Sequence, residues 1–346
     1  MDLGEAFRLF LPPIDAELRM AVRPPVANLE GYYGMMHYHL GWLDEKLQPA
    51  RIKNGKRLRP LLCLLASQAA GGDPQQALPA AAAVELIHNF SLIHDDIQDG
   101  SDFRRGRRAV WNIWGEAQGI NAGDGMFALA HLALQRLSAC GVPPERQQAA
   151  ARVFDQACID LCQGQFLDML LEDTLDVELD VYLQMVGYKT AALMAASVGL
   201  GAVIASDDPA LVEHYHDFGQ NLGMAFQFQD DVLGTWGDEA VTGKPVATDI
   251  RDKKKTLLVV HVLNHPRERG LAGALAGLYG RNGPLDEAGI DAVLEIMERA
   301  GTREYAGGMA KAYCQRALDS LEQTGIDNDA QACLRQLALY LLDRQT

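Results

Sequence analysis

The sequence predicts an all-α fold, and three observations carry that prediction. Apolar residues recur at three- and four-residue steps, in Leu58, Leu61, Leu62 and Leu65 and again in Leu211, Tyr215, Phe218 and Leu222, the spacing of one buried helix stripe. Alanine is abundant and β-branched runs are scarce, which favours helix over strand. No series of alternating strands separated by hairpin turns is present, so an α/β sheet is not expected.

Breaks punctuate the helical pattern in order. Gly71-Gly72-Asp73-Pro74, Gly141-Val142-Pro143-Pro144, Ser206-Asp207-Asp208-Pro209, His265-Pro266 and Gly280 to Pro284 each join a helix stop to residues suited to starting the next helix. The run from Ala77 to Val84 is short and alanine-rich, which suits a packed helix better than lipid. Residues 100–108 (GSDFRRGRR) and 234–255 (GTWGDEAVTGKPVATDIRDKKK) are charged, glycine-containing loops that directly follow acidic helix ends. Loops longer than about 12–15 residues in compact domains are usually functional or disordered. Without a linker, repeat or low-complexity tract, residues 1–346 read as one helical domain.

Composition narrows the function. With 46 acidic and 31 basic residues the net charge is −15, a field that repels nucleic acid and anionic lipid, so an anionic ligand has to be held by local arginines and lysines. Uninterrupted apolar runs fall short of the roughly 18 residues of a membrane span, and the N-terminal stretch carries acids where a secretory signal is basic and then apolar. Neither nucleic acid nor stable membrane insertion is expected. Cys63, Cys140, Cys158, Cys162, Cys314 and Cys333 form no CxxC pair and read as buried free thiols, which makes the cytoplasm the expected address. Cys158 and Cys162 share a helix face, but nothing nearby completes a metal set.

Two acidic clusters carry the chemistry. In HNFSLIHDDIQDGSDFRRG, Asp95 and Asp99 are four residues apart on one helix face at a helix C-terminus. Like charges at that spacing cost about 0.2–0.5 kcal/mol and the helix dipole adds to it. A compensating cation with hard oxygen preference, Mg²⁺, accounts for that double cost, although a solvated acidic helix end accounts for the pattern as well. In GMAFQFQDDVLG, Asp230 and Asp231 end an apolar helix after Met224, Phe226 and Phe228, where carboxylates require partners or a metal. Each cluster precedes a basic loop: Arg104 and Arg105 follow the first, Lys244 and Lys253 to Lys255 the second. Asn54-Gly55-Lys56-Arg57-Leu58-Arg59-Pro60 adds a further cationic group. The arrangement describes two helices facing across a cavity with metal ions and a diphosphate clamped there, and a second diphosphate in an adjacent pocket.

The sequence resembles the trans-isoprenyl diphosphate synthases, or polyprenyl synthetases. NGKRLRP (54–60), HNFSLIHDDIQDGSDFRRG (88–106), AGD (122–124), GQFLD (164–168), GYKTA (187–191), FQFQDDVLG (226–234) and GKP (243–245) follow the family's order and spacing. The resemblance implies a single-domain helical bundle around a deep central cavity, with C-terminal helices over 268–346 packing on the core, usually as a homodimer. It implies that Asp95 and Asp99 bind two Mg²⁺ ions and Asp230 a third. Arg104, Lys189 and Lys244 then hold the allylic diphosphate, and Lys56, Arg59, His88 and Arg105 the diphosphate of isopentenyl diphosphate. Thr190 and Gln227 line the reacting centre. His94 is read as structural, and Trp111, Trp114, Tyr182 and Tyr188 as packing.

The chain departs from the pattern at Gly234, where many members carry a third Asp, at Asn54 and at Trp111. Phe90 lies five residues before Asp95, about 7.5 Å along the helix axis, and reads as a cavity floor with Ser91 leaving space beside it. An aromatic there without an insertion between Asp95 and Asp99 resembles geranylgeranyl diphosphate synthases first and farnesyl diphosphate synthases next. The implied reaction joins isopentenyl diphosphate to dimethylallyl, geranyl or farnesyl diphosphate. A class I terpene cyclase and a non-catalytic subunit of a heteromeric synthase are the alternatives.

Overall fold

Leucine- and alanine-rich periodic segments do form helices throughout. The structure, a computed structural model, describes residues 1–50, 52, 55–172, 174–237, 247–264 and 269–343. Among them the only paired strands are two of two residues each, Phe103–Arg104 (β1) and Arg107–Arg108 (β2). The fold is all-α, as the sequence predicts. Contacts divide the chain into two compact units: Met1–Asp155, Ala196–Tyr215 and Ile326–Leu334 form one, and Gln156–Ala195, His216–Gly325 and Arg335–Thr346 the other.

In the first unit, α1 (Leu3–Ala21) starts on a capping box in which Glu5 N donates to Asp2 Oδ1 at 2.7 Å and Asp2 N to Glu5 Oε2 at 2.9 Å. It is followed by α2 (Glu30–His39), α3 (Leu58–Ala69), α4 (Leu78–Gln98), α5 (Val110–Trp114) and α6 (Glu116–Gln135). Leu61, Leu62 and Leu65 of α3 are buried as the periodicity requires, but so are Cys63, Leu64, Ala66 and Ser67 between them. The helix is therefore enclosed nearly all round instead of presenting one stripe. Ala80 to Val84 are fully buried in α4, a packed helix and not a lipid-facing one. α6 lies close against α4 because Gly119 and Gly123 present no side chain. A Cβ at Gly123 would stand 2.2 Å from His94 Nε2, and one at Gly119 2.9 Å from Ile97 Cδ1. The acidic end of α4 is thereby fixed by packing of its last two turns.

The second unit takes the later part of α7 (Pro144–Glu172), then α8 (Leu179–Val186), a π-helical turn at Gly187–Ala191, and the start of α9 (Ala192–Ala205). It continues with α10 (Pro209–Trp236) from His216, α11 (Thr248–Arg251), α12 (Leu257–Leu263), α13 (Arg269–Tyr279), α14 (Glu287–Arg299) and α15 (Thr302–Gln323). α12 is helical despite Val259, Val260 and Val262, because burying those side chains outweighs a few tenths of a kcal/mol of propensity. Gly219 and Gly223 of α10 admit the backbone of Ala195 and Ala191 to 2.6 and 2.5 Å from where their Cβ atoms would be.

One continuous helical run, Leu179–Ala205, is long and apolar enough to cross a membrane by length and composition, and 78% of its apolar window is buried inside the protein. Lys189 and Thr190 interrupt its apolar sequence. All six cysteines are free; Cys63, Cys158, Cys314 and Cys333 are buried as expected, whereas Cys140 is half-buried and Cys162 exposed.

Candidate active site

The first acidic cluster sits where α4 stops. Ser101 N donates to the Asp96 carbonyl at 2.8 Å, and Gly100 takes a φ of +62°, the left-handed conformation that turns the chain out of a helix at little cost for glycine. Asp95 is half-buried and Asp99 exposed, while the intervening Asp96 is turned inward and only 1% exposed. Asp96 Oδ1 accepts from Arg104 Nε at 2.7 Å and from Arg104 Nη2 at 2.5 Å. Burial raises the Asp96 carboxyl above its ordinary range, and the Arg104 guanidinium opposes that rise. Arg104, expected to grip a diphosphate, thus has a carboxylate anchor that the sequence reading did not foresee.

The charged segment expected to be a loop is a hairpin. β1 and β2 pair antiparallel with Arg104 opposite Arg107, and the two turn residues Arg105 and Gly106 take φ of +54° and +73°, a type I′ geometry. Arg105 therefore stands at the tip. A Cβ at Gly55 would lie 3.2 Å from Arg105 Nη2, so the chain before α3 runs beside this arginine.

Cations gather here. Burial first, then the charges of Arg59, Arg105 and Arg104, holds the half-buried His88 imidazole well below its ordinary value. Burial followed by Arg105, Arg104, Arg57 and Arg107 does the same to His39. The charges of Arg59 and Arg105 thus both act on His88, three residues that the resemblance assigns to one diphosphate. Lys56 is exposed at the start of the same segment. Arg57 is held under the cluster by Glu85, whose Oε1 accepts from Arg57 Nη1 at 2.5 Å and from Asn89 Nδ2 at 2.9 Å; the Glu85 side chain is 4% exposed. Tyr38, His39, Ile52 and the arginines 104, 105, 107 and 108 line one pocket. A concentration of guanidinium groups in a chain of charge −15 is suited to a polyanion.

Phe90 is half-buried and packs edge-on against Phe127, with ring centroids 5.1 Å apart; Phe127 meets His131 at 4.7 Å and His131 meets Phe154 at 5.1 Å. Ser91 turns its hydroxyl back to the His88 carbonyl at 2.9 Å. His94, read from the sequence as structural, has its Nε2 3.2 Å from the Ile120 carbonyl. Trp111 does more than pack, donating Nε1 to the Ser101 carbonyl at 2.8 Å just past the acidic helix end.

In the second unit the π-helical turn presents Lys189 and Thr190. π turns widen a helix and are frequent at functional sites. Gly164 makes room for it, since a Cβ there would fall 2.2 Å from Lys189 N. Lys189 Nζ donates to Asp168 Oδ2 at 2.5 Å, joining GYKTA to GQFLD. Thr190 Oγ1 donates to Gln227 Oε1 at 2.9 Å, and Gln227 Nε2 to Asp231 Oδ1 at 2.9 Å. Asp231 Oδ2 also accepts from Tyr182 Oη at 2.5 Å and from Leu257 N at 2.8 Å. Burial pushes Asp231 up to about 7 against the pull of these donors. Tyr182, read as packing, is therefore a hydrogen-bond donor to a buried carboxylate; no local sequence signal ties it to a residue so far along the chain.

Asp230 is half-buried. The acidic pair does not end its helix, as the sequence reading had it, because α10 continues to Trp236. At Gly234 a Cβ would stand 2.5 Å from Asp249 Oδ2, so a carboxylate from α11 occupies the space beside the glycine. Lys244 and Asn54 lie outside the described residues.

Residues 41–297 match the polyprenyl synthetase family. The chain is 41% identical over 313 residues to a (2E,6E)-farnesyl diphosphate synthase of Mycobacterium tuberculosis, covering 90% of this chain and 86% of that protein. It is 39% identical over 324 residues to a geranylgeranyl diphosphate synthase of the same organism, covering 92% and 89%. A crystal structure of a polyprenyl synthetase from Streptomyces coelicolor A3(2) superposes with a TM-score of 0.90 at 33% identity, covering 98% of this chain and 99% of that one. The chain belongs to the polyprenyl synthetase family of trans-isoprenyl diphosphate synthases. It is a trans-prenyltransferase that makes short-chain prenyl diphosphates, and that reading prevails over a cyclase or a non-catalytic subunit.

Proposed function

We propose that this enzyme extends an allylic diphosphate (dimethylallyl, geranyl or farnesyl) with isopentenyl diphosphate to give geranylgeranyl diphosphate, with farnesyl diphosphate the next candidate product. The observation that carries the reading is the group of guanidinium cations of Arg59, Arg104 and Arg105 around the uncharged His88 imidazole, with Arg104 bonded to Asp96 at the Asp95–Asp99 helix end. Ionising one diphosphate requires the acidic motifs; holding a second requires these extra cations.

The family uses Mg²⁺. Among the described residues no three His, Cys, Asp or Glu side chains gather as a closed set of ligands. Mg²⁺ usually takes one or two carboxylates and completes its octahedron with waters and substrate phosphates, and Asp95, Asp99 and Asp230 are hard oxygen donors of that kind. Asp95, in the last turn of α4, and Asp99, at its C-cap four residues on, would hold two ions, and Asp230 a third. When bound, the ions supply positive charge to the leaving pyrophosphate.

The chain's own residues do the remainder. Arg104, Lys189 and Lys244 bind the allylic diphosphate, and the carboxylates of Asp96 and Asp168 orient the first two. Lys56, Arg59, His88 and Arg105 bind the diphosphate of isopentenyl diphosphate. Thr190 and Gln227, in hydrogen bond with each other, present oxygen dipoles to the developing allylic cation. Holding the second double bond within contact distance makes the addition effectively unimolecular. The proton lost at the end goes to the departing pyrophosphate. Phe90, braced by Phe127, limits the chain length.

We further assign a homodimer that acts in the cytoplasm, with residues 1–346 as a single catalytic domain. The test is incubation of purified protein with isopentenyl diphosphate, each allylic diphosphate in turn and Mg²⁺, with products resolved by chromatography. A C20 prenyl diphosphate is expected; a C15 product corrects the length, and cyclic hydrocarbons or no product overturn the reading.

A further inference from the structure

Arg107 neighbours the proposed diphosphate ligands but has no role in the reading above. Its Nη1 donates to the Tyr38 carbonyl and its Nη2 to the Leu43 carbonyl, both at 2.8 Å, and its guanidinium carbon lies 3.7 Å from the centroid of the Tyr38 ring. Tyr38 returns the contact, donating its hydroxyl to the Arg108 carbonyl at 2.8 Å. Tyr38 is only 2% exposed and Arg107 is half-buried, so these bonds are partly screened from water, where each counts for more.

The interlock fastens β2 to the end of α2. Because β2 pairs with β1 in the register Arg104 to Arg107, fixing β2 fixes the turn whose tip is Arg105. Arg104 enjoys a second anchorage in its two bonds to Asp96. Loosening the interlock therefore acts unequally on the two arginines.

We propose that Arg107, clamped on Tyr38, is a positioning residue that sets Arg105 for the diphosphate of isopentenyl diphosphate. This rests on the role given to Arg105 above. Arg107 lines the same pocket, but its guanidinium is taken up by the Tyr38 and Leu43 carbonyls, so it acts through the hairpin.

The experiment is steady-state kinetics of the full chain, varying each diphosphate with the other saturating, alongside thermal melts. Arg107→Met is expected to raise KM for isopentenyl diphosphate about tenfold, the value of a lost charge-assisted hydrogen bond, with allylic KM and kcat changed less than about twofold. Arg107→Lys keeps the charge without the planar fork and is expected to recover part of the loss. Tyr38→Phe, which deletes only the bond to Arg108, is expected to raise the same KM by a few-fold, about the value of one neutral bond. Should Arg107→Met not fold, the other two variants decide by the same split. Equal rises in both KM values, a fall in kcat alone, or no change in any variant overturns the proposal. Failure of the underlying reading looks different: wild type that makes no condensation product, or Arg105→Lys with an unaltered KM for isopentenyl diphosphate.

Discussion

The Tyr182 hydroxyl donates to the Asp231 carboxylate at 2.5 Å, joining α8 to α10 through a bond buried at both ends. The same carboxylate holds Gln227, and through it Thr190, so one buried acid organises two residues of the proposed reacting centre.

Tyr182→Phe removes one of three donors from a carboxylate that is 4% exposed. A buried acceptor deprived of a partner costs about 1–3 kcal/mol. Urea unfolding should show a lower midpoint with an unchanged slope; an unmoved midpoint would mean the bond contributes nothing.

Gly164→Ala should damage activity more than a surface glycine change. The added methyl would sit 2.2 Å from Lys189 N and 2.6 Å from its Cα, backbone that cannot rotate aside. Relief costs about 1–3 kcal/mol and shifts the π turn that carries Lys189 and Thr190. The check is kcat for condensation, expected to fall, with Gly270→Ala, where a Cβ meets nothing within 4 Å, as the control.

Phe90→Ala should lengthen the product. Losing the ring removes one member of the Phe90–Phe127–His131 series. Chromatography of the prenyl alcohols after phosphatase treatment reads the result, and an unaltered product profile removes Phe90 from the role of floor.

His39 gives a pH signature. Its imidazole is held well below the ordinary 6.5, chiefly by burial. Between that lowered value and 6.5 the unfolded chain binds a proton the folded chain does not, so this residue's contribution is present above 6.5 and declines as pH falls. The decline reaches at most about 1.4 kcal/mol per pH unit. Asp231, raised to about 7, acts with the opposite sign, so the comparison has to be differential. Unfolding free energies of wild type and His39→Gln between about pH 7.5 and 5.5 should converge as pH drops. Parallel curves would show that His39 titrates normally.

Much of the fold was legible because it is written in local periodicity. The stripe of Tyr215, Phe218 and Leu222, the alanine run of α4 and the glycine–proline stops all act within a few residues of themselves. The reading of α3 as one stripe fell short because the number of faces a helix buries depends on how many neighbours enclose it. The charged segment after Asp99 looked like a loop, since a two-residue strand is too short for an alternating pattern to register.

By itself the sequence determined the helical class and the family, and it supplied the residues proposed for diphosphate chemistry: Asp95, Asp99 and Asp230 with the arginines and lysines around their motifs. Only the tertiary structure decided which partners those residues have. Asp96 holds Arg104, Asp168 holds Lys189, Glu85 holds Arg57, and Tyr182 meets Asp231. The reason is physical: a helix repeats every 3.6 residues and announces itself locally, whereas a hydrogen bond between residues far apart in the chain exists only once packing has brought the two helices together.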